Sequence, residues 1–246
     1  VFVDAGENRL LVSDFAKLPS IEELHMHCNA LTQLSDLADA AAEAEVNRQT
    51  NNNNTTASDA NVEGEGNGDG DNSAIPPFSF LHSLNLSFNR IPPHELAFLV
   101  HMPSLTRLDL SNNNLKTISI EFAQSACPHV THLALEGNKF KNALHIFACL
   151  AVMPRLVEVN LNDNNFEAIP STTEMISYLP AKPRYTNNAN EDNEENYGGG
   201  EEEYAIFPAL EALGIANNKL QFVEDVFPVI QFPQLARIVL WGNPLA

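Results

Sequence analysis

Leu105-Thr106-Arg107-Leu108-Asp109-Leu110-Ser111-Asn112-Asn113-Asn114-Leu115 places leucine at its first, fourth, sixth and eleventh positions and asparagine at its ninth. The same spacing recurs in order along the chain. Upstream stand Leu81, Leu84, Leu86, Asn89, Ile91 and, before them, Ile21, Leu24, Met26, Asn29, Leu31. Downstream follow Val130, Leu133, Leu135, Asn138, Phe140, then Leu156, Val159, Leu161, Asn164, Phe166. Two more copies close the chain: Leu210, Leu213, Ile215, Asn218, Leu220 and Leu235, Ile238, Leu240, Asn243, Leu245. A shortened copy opens it with Val3, Ala5, Asn8 and Leu10.

Eight such units in register carry the leucine-rich repeat signature, because each short unit buries its apolar side only by stacking on its neighbours. Side chains alternate along a strand, so the two leucines of each L-x-L point together into the interior. The expected fold is therefore α/β: a leucine-rich repeat solenoid with a curved parallel β-sheet on its concave face and helices or 3₁₀ turns on its convex face. Residues 1–246 read as a single domain of about eight repeats. Asn8, Asn29, Asn89, Asn113, Asn138, Asn164, Asn218 and Asn243 form a structural ladder, each amide turned inward to satisfy backbone groups that the bend leaves unpaired. On the convex side, Pro93 stands where a helix begins and Asn142 where an N-cap would sit. Prolines 19, 103, 128, 154, 208 and 233 stop each convex segment before the next strand.

Successive ladder asparagines differ by 21, 60, 24, 25, 26, 54 and 25 residues. The two long steps contain two acidic stretches with no repeat of their own, residues 36–73 and 181–204. The first holds nine carboxylates and one arginine and no aromatic residue; the second holds seven carboxylates against Lys182 and Arg184. Seven of the eleven glycines lie in them. Such composition buries too little apolar surface to offset its ordering entropy, so both are expected to be flexible acidic insertions.

The chain's formal charge of −19 divides accordingly: −13 in the insertions and −6 in the other 184 residues. A surface of this sign argues against nucleic-acid phosphates and anionic membranes as partners. No apolar run is long enough to span a bilayer. The chain opens at Val1 without methionine or a leader, which reads as a fragment. Cys28, Cys127 and Cys149 are an odd, scattered set, as expected of reduced thiols inside a cell. The sequons at Asn53, Asn54 and Asn85 then read as chance matches. No Walker loop, G-x-S-x-G or H-E-x-x-H occurs, and Gly198-Gly199-Gly200 runs into three glutamates that would repel phosphate. The expectation is a non-enzymatic protein with no catalytic residue, cofactor or small-molecule substrate.

A narrower likeness lies in Val1-Phe2-Val3-Asp4-Ala5-Gly6-Glu7-Asn8-Arg9-Leu10 with Leu18-Pro19-Ser20-Ile21-Glu22-Glu23-Leu24. It continues in Leu84-Asn85-Leu86-Ser87-Phe88-Asn89 with Met102-Pro103-Ser104-Leu105, and in Phe207-Pro208-Ala209-Leu210-Glu211-Ala212-Leu213. Over residues 1–35, 78–140 and 205–222 the chain resembles the X-ray radiation resistance-associated protein family, although the 36–73 insertion departs from its pattern. The resemblance implies an intracellular repeat scaffold. Through its likeness to repeat proteins of cilia and flagella, it implies an axonemal, microtubule-associated location.

Repeat solenoids bind through the outward residues of the concave strands. The candidate partner-binding residues are His25, His27, Asn85, Arg107, Asp109, His132, Glu136, Asn160 and Trp241. Trp241, the single tryptophan, has the chemistry of an interface anchor. His25, His27 and His82 lie near one another, but the three or four convergent ligands of a zinc site are lacking, and a solvated polar face accounts for them. The expected partners are other proteins in a cytoskeletal assembly. Two alternatives stand beside this: a nuclear protein engaging basic partners such as histones through the acidic insertions, and a regulatory subunit of an intracellular enzyme using the concave face.

Overall fold

A computed structural model describes residues 1–18, 20–55, 75–179 and 206–246, with side chains described outside 48–55. Eight three-residue strands form one parallel sheet in chain order: β1 (Phe2–Asp4), β2 (Glu23–His25), β3 (Ser83–Asn85), β4 (Arg107–Asp109), β5 (His132–Ala134), β6 (Glu158–Asn160), β7 (Ala212–Gly214) and β8 (Arg237–Val239). Register aligns the middle residues Val3, Leu24, Leu84, Leu108, Leu133, Val159, Leu213 and Ile238 across all eight. From Leu24 to Leu213 these middle residues are buried, as is the row two residues on from Met26 to Ile215. Each fully buried leucine contributes about 2 kcal/mol of transfer free energy, so stacking the rows drives assembly.

After each strand the chain turns through a residue in the left-handed region, Glu7, Cys28, Phe88, Asn112, Gly137, Asp163, Asn217 and Gly242, all with φ between 50° and 76°, and Ala30 and Asn114 add a second in two of the turns. The residue after the first of these is the ladder asparagine. Asn138 shows what it does there. Its Nδ2 donates to the carbonyls of Leu110 (3.1 Å) and Leu135 (2.9 Å), while its Oδ1 accepts from the N–H groups of Asn113 (3.1 Å) and Leu115 (2.9 Å). Each amide thereby ties its own turn to the preceding repeat. Six ladder residues, Asn29 through Asn218, are buried; Asn243 is half-buried, and Asn8 is exposed.

The convex side is built differently in each repeat. Pro93–His101 is 3₁₀, and its buried Leu96 and Leu99, followed by buried Met102, fall at the three-residue period of that helix. Helix α2 (Ala143–Ala151) is capped by Asn142, whose side chain accepts from the His145 N–H at 3.1 Å. Between β6 and β7 lies α3 (Thr172–Tyr178), opened by a capping box of Ser171 and Glu174. In the C-terminal half, Phe140 touches Phe166, Phe166 touches Phe147, Phe147 touches Phe207 and Phe207 touches Phe232, at ring-centroid distances of 4.9–6.3 Å. Each such pair is worth about 1 kcal/mol beyond its buried area.

One expectation requires correction. The first insertion does not begin as a flexible loop: Asp36–Thr55 is helix α1. Its acidic, aromatic-free composition misled, because Ala38, Ala40, Ala41, Ala42 and Ala44 are strong helix formers and Asp36 and Asp39 stand in the first turn, where the helix dipole favours carboxylates. The start of α1 is also fastened to the solenoid. Leu37 is buried, and the nearly buried Glu95 of the next convex segment accepts from the Leu34 and Ser35 N–H groups at 2.6 and 2.9 Å. The remainder of that insertion beyond Thr55, and the acidic stretch 181–204, lie outside the described residues.

Candidate functional site

Three-residue strands at a parallel spacing leave the first and third residue of each strand pointing outward on the concave face. In register, the first residues read Phe2, Glu23, Ser83, Arg107, His132, Glu158, Ala212, Arg237, and the third read Asp4, His25, Asn85, Asp109, Ala134, Asn160, Gly214, Val239. Where the third residue is Asn or Asp, its side chain folds back on the turn. Asn85, Asp109 and Asn160 accept the N–H of Ser87 (2.9 Å), Ser111 (2.8 Å) and Asn162 (3.0 Å). These Asx turns shorten the side chains in the middle of the sheet. The row two residues further on is only partly outward: Ser87, Ser111 and Ala216 are buried.

The result is a groove of about 380 Å³ across β2 to β6. It brings together six of the nine expected residues: His25, Asn85, Arg107, Asp109, His132 and Asn160. Its walls also include Ser83, Ala134 and Glu158. Ser83 and Glu158 hold the same strand position as Arg107 and His132, and that shared position is the signal by which they could have been found. His27, Glu136 and Trp241 lie outside the groove. His27 sits over Gly6 with Nδ1 4.0 Å from Asp4 Oδ1, and Glu136 accepts from the Nδ2 of Asn160 at 2.7 Å. Trp241 stands exposed just after β8. His25 meets Phe2 edge-on at 4.9 Å, and His132 Nδ1 is 2.9 Å from the Thr131 hydroxyl oxygen.

Burial pushes the Cys127 thiol well above the ordinary thiol range. It pushes Cys149 up to about 12, with nearby Glu121 adding to the effect. Neither is a thiolate at neutral pH, so neither is poised as a nucleophile. All three cysteines are free. Among the described residues no three His, Cys, Asp or Glu side chains converge as metal ligands, and no helix is long and apolar enough to cross a membrane. His25, His27 and His82 face different partners, His82 lying 3.6 Å from Glu23.

An in-register parallel sheet, one left-handed turn per unit and one asparagine bridging each pair of turns settle the architecture. The fold is a leucine-rich repeat solenoid. The leucine rich repeat family pattern matches residues 79–140 of it. The solenoid is similar to osteomodulin of Bos taurus, 27% identical over 164 residues, covering 57% of this chain and 36% of that protein. The chain thus spans about a third of that relative's length. Its fold is similar to the crystal structure of internalin C2 from Listeria monocytogenes, with a TM-score of 0.55 at 15% identity over 99% of this chain and 72% of the other. These likenesses carry the repeat architecture of the solenoid.

Proposed function

We propose that the solenoid is a non-enzymatic protein-binding scaffold that docks its partner on the concave face. The observation that carries this reading is the groove over β2 to β6. There a continuous parallel sheet presents short, hydrogen-bonded polar side chains beside longer ones, Arg107, His132 and Glu158. A stable interface needs about 800 Å² on each side, so the contact extends beyond the groove along the sheet towards Trp241. Leucine-rich repeat architecture supports the same reading, since solenoids of stacked repeats present extended concave surfaces.

The test is quantitative capture by the whole chain against a variant carrying Arg107→Ala, His132→Ala and Trp241→Ala together. Proteins held by the unaltered chain should be lost from the variant while its thermal melting stays within a few degrees. Retention of the same proteins by the variant rejects the concave face as the docking surface.

Within this reading we place the protein in a ciliary or flagellar axoneme, as part of a microtubule-associated assembly. What supports that placement is the family resemblance over residues 1–35, 78–140 and 205–222, and it is independent of the groove geometry. A tagged chain should remain with axonemes after detergent extraction and washing; its complete release into the wash rules the placement out.

A further inference from the structure

Arg107 and Arg237 occupy the same position in their strands, yet among the described residues only Arg237 has a partner. Arg237 of β8 reaches across Ala212 of β7 to Glu158 of β6, with nitrogen and oxygen 3.2 Å apart. Register sets a carboxylate at that same two-strand interval on both sides of Arg107: Glu23 beyond Ser83, and Glu158 beyond His132. Both are turned elsewhere, Glu23 towards His82 at 3.6 Å and Glu158 towards Arg237. The other nearby carboxylates are engaged too: Asp109 holds the Ser111 N–H and Glu136 the Asn160 amide. Among the described residues the Arg107 guanidinium makes no hydrogen bond and no ion pair, although it is exposed and lines the groove. Among the described residues the groove therefore presents an unengaged fixed cation whose neighbouring carboxylates are turned to other partners.

We propose that the groove receives an extended segment of a partner protein whose Glu or Asp side chain seats on Arg107, between Ser83 and His132. This rests on the reading of the concave face as the docking surface. A guanidinium offers a carboxylate two parallel N–H donors, which fixes orientation as well as charge. Five strands at about 4.8 Å spacing make a seat about 19 Å across, filled by roughly six extended residues at about 3.3 Å each. The chain's −19 charge repels a run of acidic residues, so the fit is one carboxylate within a neutral or basic segment.

The experiment is an array of eight-residue peptides with a central Glu, each paired with its Gln counterpart and probed with the whole chain. Two variants accompany it, Arg107→Gln and Ala134→Trp, the second filling the groove; thermal melting checks that both fold. The expected result is Glu-over-Gln selection of about tenfold, abolished by Arg107→Gln, with all capture abolished by Ala134→Trp. Capture that Ala134→Trp blocks but that shows no Glu preference, or a preference surviving Arg107→Gln, overturns the carboxylate seat and leaves concave docking standing. Capture indifferent to Ala134→Trp overturns both. An array with no peptide selected overturns the carboxylate seat as a peptide site.

Discussion

The repeats carrying β3 to β6 and those carrying β7 and β8 share one scaffold and present different faces. In the middle of the sheet the outward positions hold Ser83, Asn85, Arg107, Asp109, His132, Ala134, Glu158 and Asn160, and among the described residues the Arg107 side chain has no ion-pair partner. Over β7 they hold Ala212 and Gly214, and Arg237 closes across them onto Glu158. Gly214 is small for a visible reason. A Cβ there would meet Asn162 Oδ1 at 3.0 Å and Asn160 Oδ1 at 3.1 Å, and Asn162 Oδ1 is itself held by the Ala216 N–H at 2.7 Å. Packing between neighbouring turns thus dictates the side chains at β7. The middle strands carry longer polar side chains at the same positions, Ala134 excepted.

The largest expected difference between the two regions lies in the ladder. Asn138→Ala strands buried N–H and carbonyl groups on two successive turns and should cost about 3 kcal/mol, given about 1–3 kcal/mol for each unsatisfied buried group. Asn243, half-buried, accepts from the Leu220 N–H and donates to the Ile215 and Leu240 carbonyls. Water can replace its bonds, so Asn243→Ala should cost about 1 kcal/mol. Urea denaturation of the two variants measures the gap; equal losses would show that the solenoid is not held together more tightly at its centre.

A smaller effect of opposite sign is expected at the left-handed turn. Asn217 fills that place beside β7, whereas Phe88 fills it beside β3 with φ of 55° and 58% of its surface exposed. An aromatic residue is costly in this conformation and buries little here in return. Phe88→Asn should therefore raise stability by about 1 kcal/mol. A loss on the same melting curve would mean that the ring makes a contact worth more than the backbone strain.

What the sequence reveals follows from how local the cause is. Leu84, Leu86 and Asn89 are legible because burial of their row depends only on spacing, and spacing is preserved when neighbouring residues change. Helix α1 was hidden because composition argued for a loop, while the group that fastens its start, Glu95, lies about 60 residues further along. The left-handed turns were half visible: Gly137, Gly242, Asn112, Asn217 and Asp163 suit that backbone, but Phe88 and Cys28 give no sign of it. At the groove, outward-facing residues could be read from strand alternation. Which arginine is engaged could not, since it depends on Arg237 crossing a neighbour as small as Ala212.

That crossing contributes to charge arrangement far more than to stability. Arg237 and Glu158 are 63% and 45% exposed, and an exposed pair is worth about 0–1 kcal/mol. Arg237→Gln should shift stability by less than about 0.5 kcal/mol, with even that difference fading in high salt. A larger, salt-resistant loss would show that the arginine stem, rather than its charge, packs β8 onto β7.

The smallest change expected is the pH dependence of one helix cap, and it too belongs to the C-terminal side. Hydrogen bonds from the Ser171 hydroxyl and backbone N–H, at 2.7 and 2.8 Å, hold the Glu174 carboxyl below the usual carboxylate range. A folded-state pKa below the unfolded one means that the ionised form favours folding. The contribution is complete above the ordinary Glu pKa and is lost as pH falls through the lowered folded value. Glu174 is almost wholly exposed, so solvent screening keeps this contribution small. Ser171→Ala removes the cap and the hydroxyl's share of the shift, the larger of the two, and leaves the bond from the backbone N–H in place. It should cost about 1 kcal/mol at neutral pH, and its gap from the unaltered chain should narrow on acidification. Amide exchange of α3 is the readout suited to so local a change, because Asn142 caps α2 without a carboxylate and supplies an internal control. A Ser171→Ala gap that stays constant through the carboxylate range would assign the cap's contribution to the hydroxyl alone.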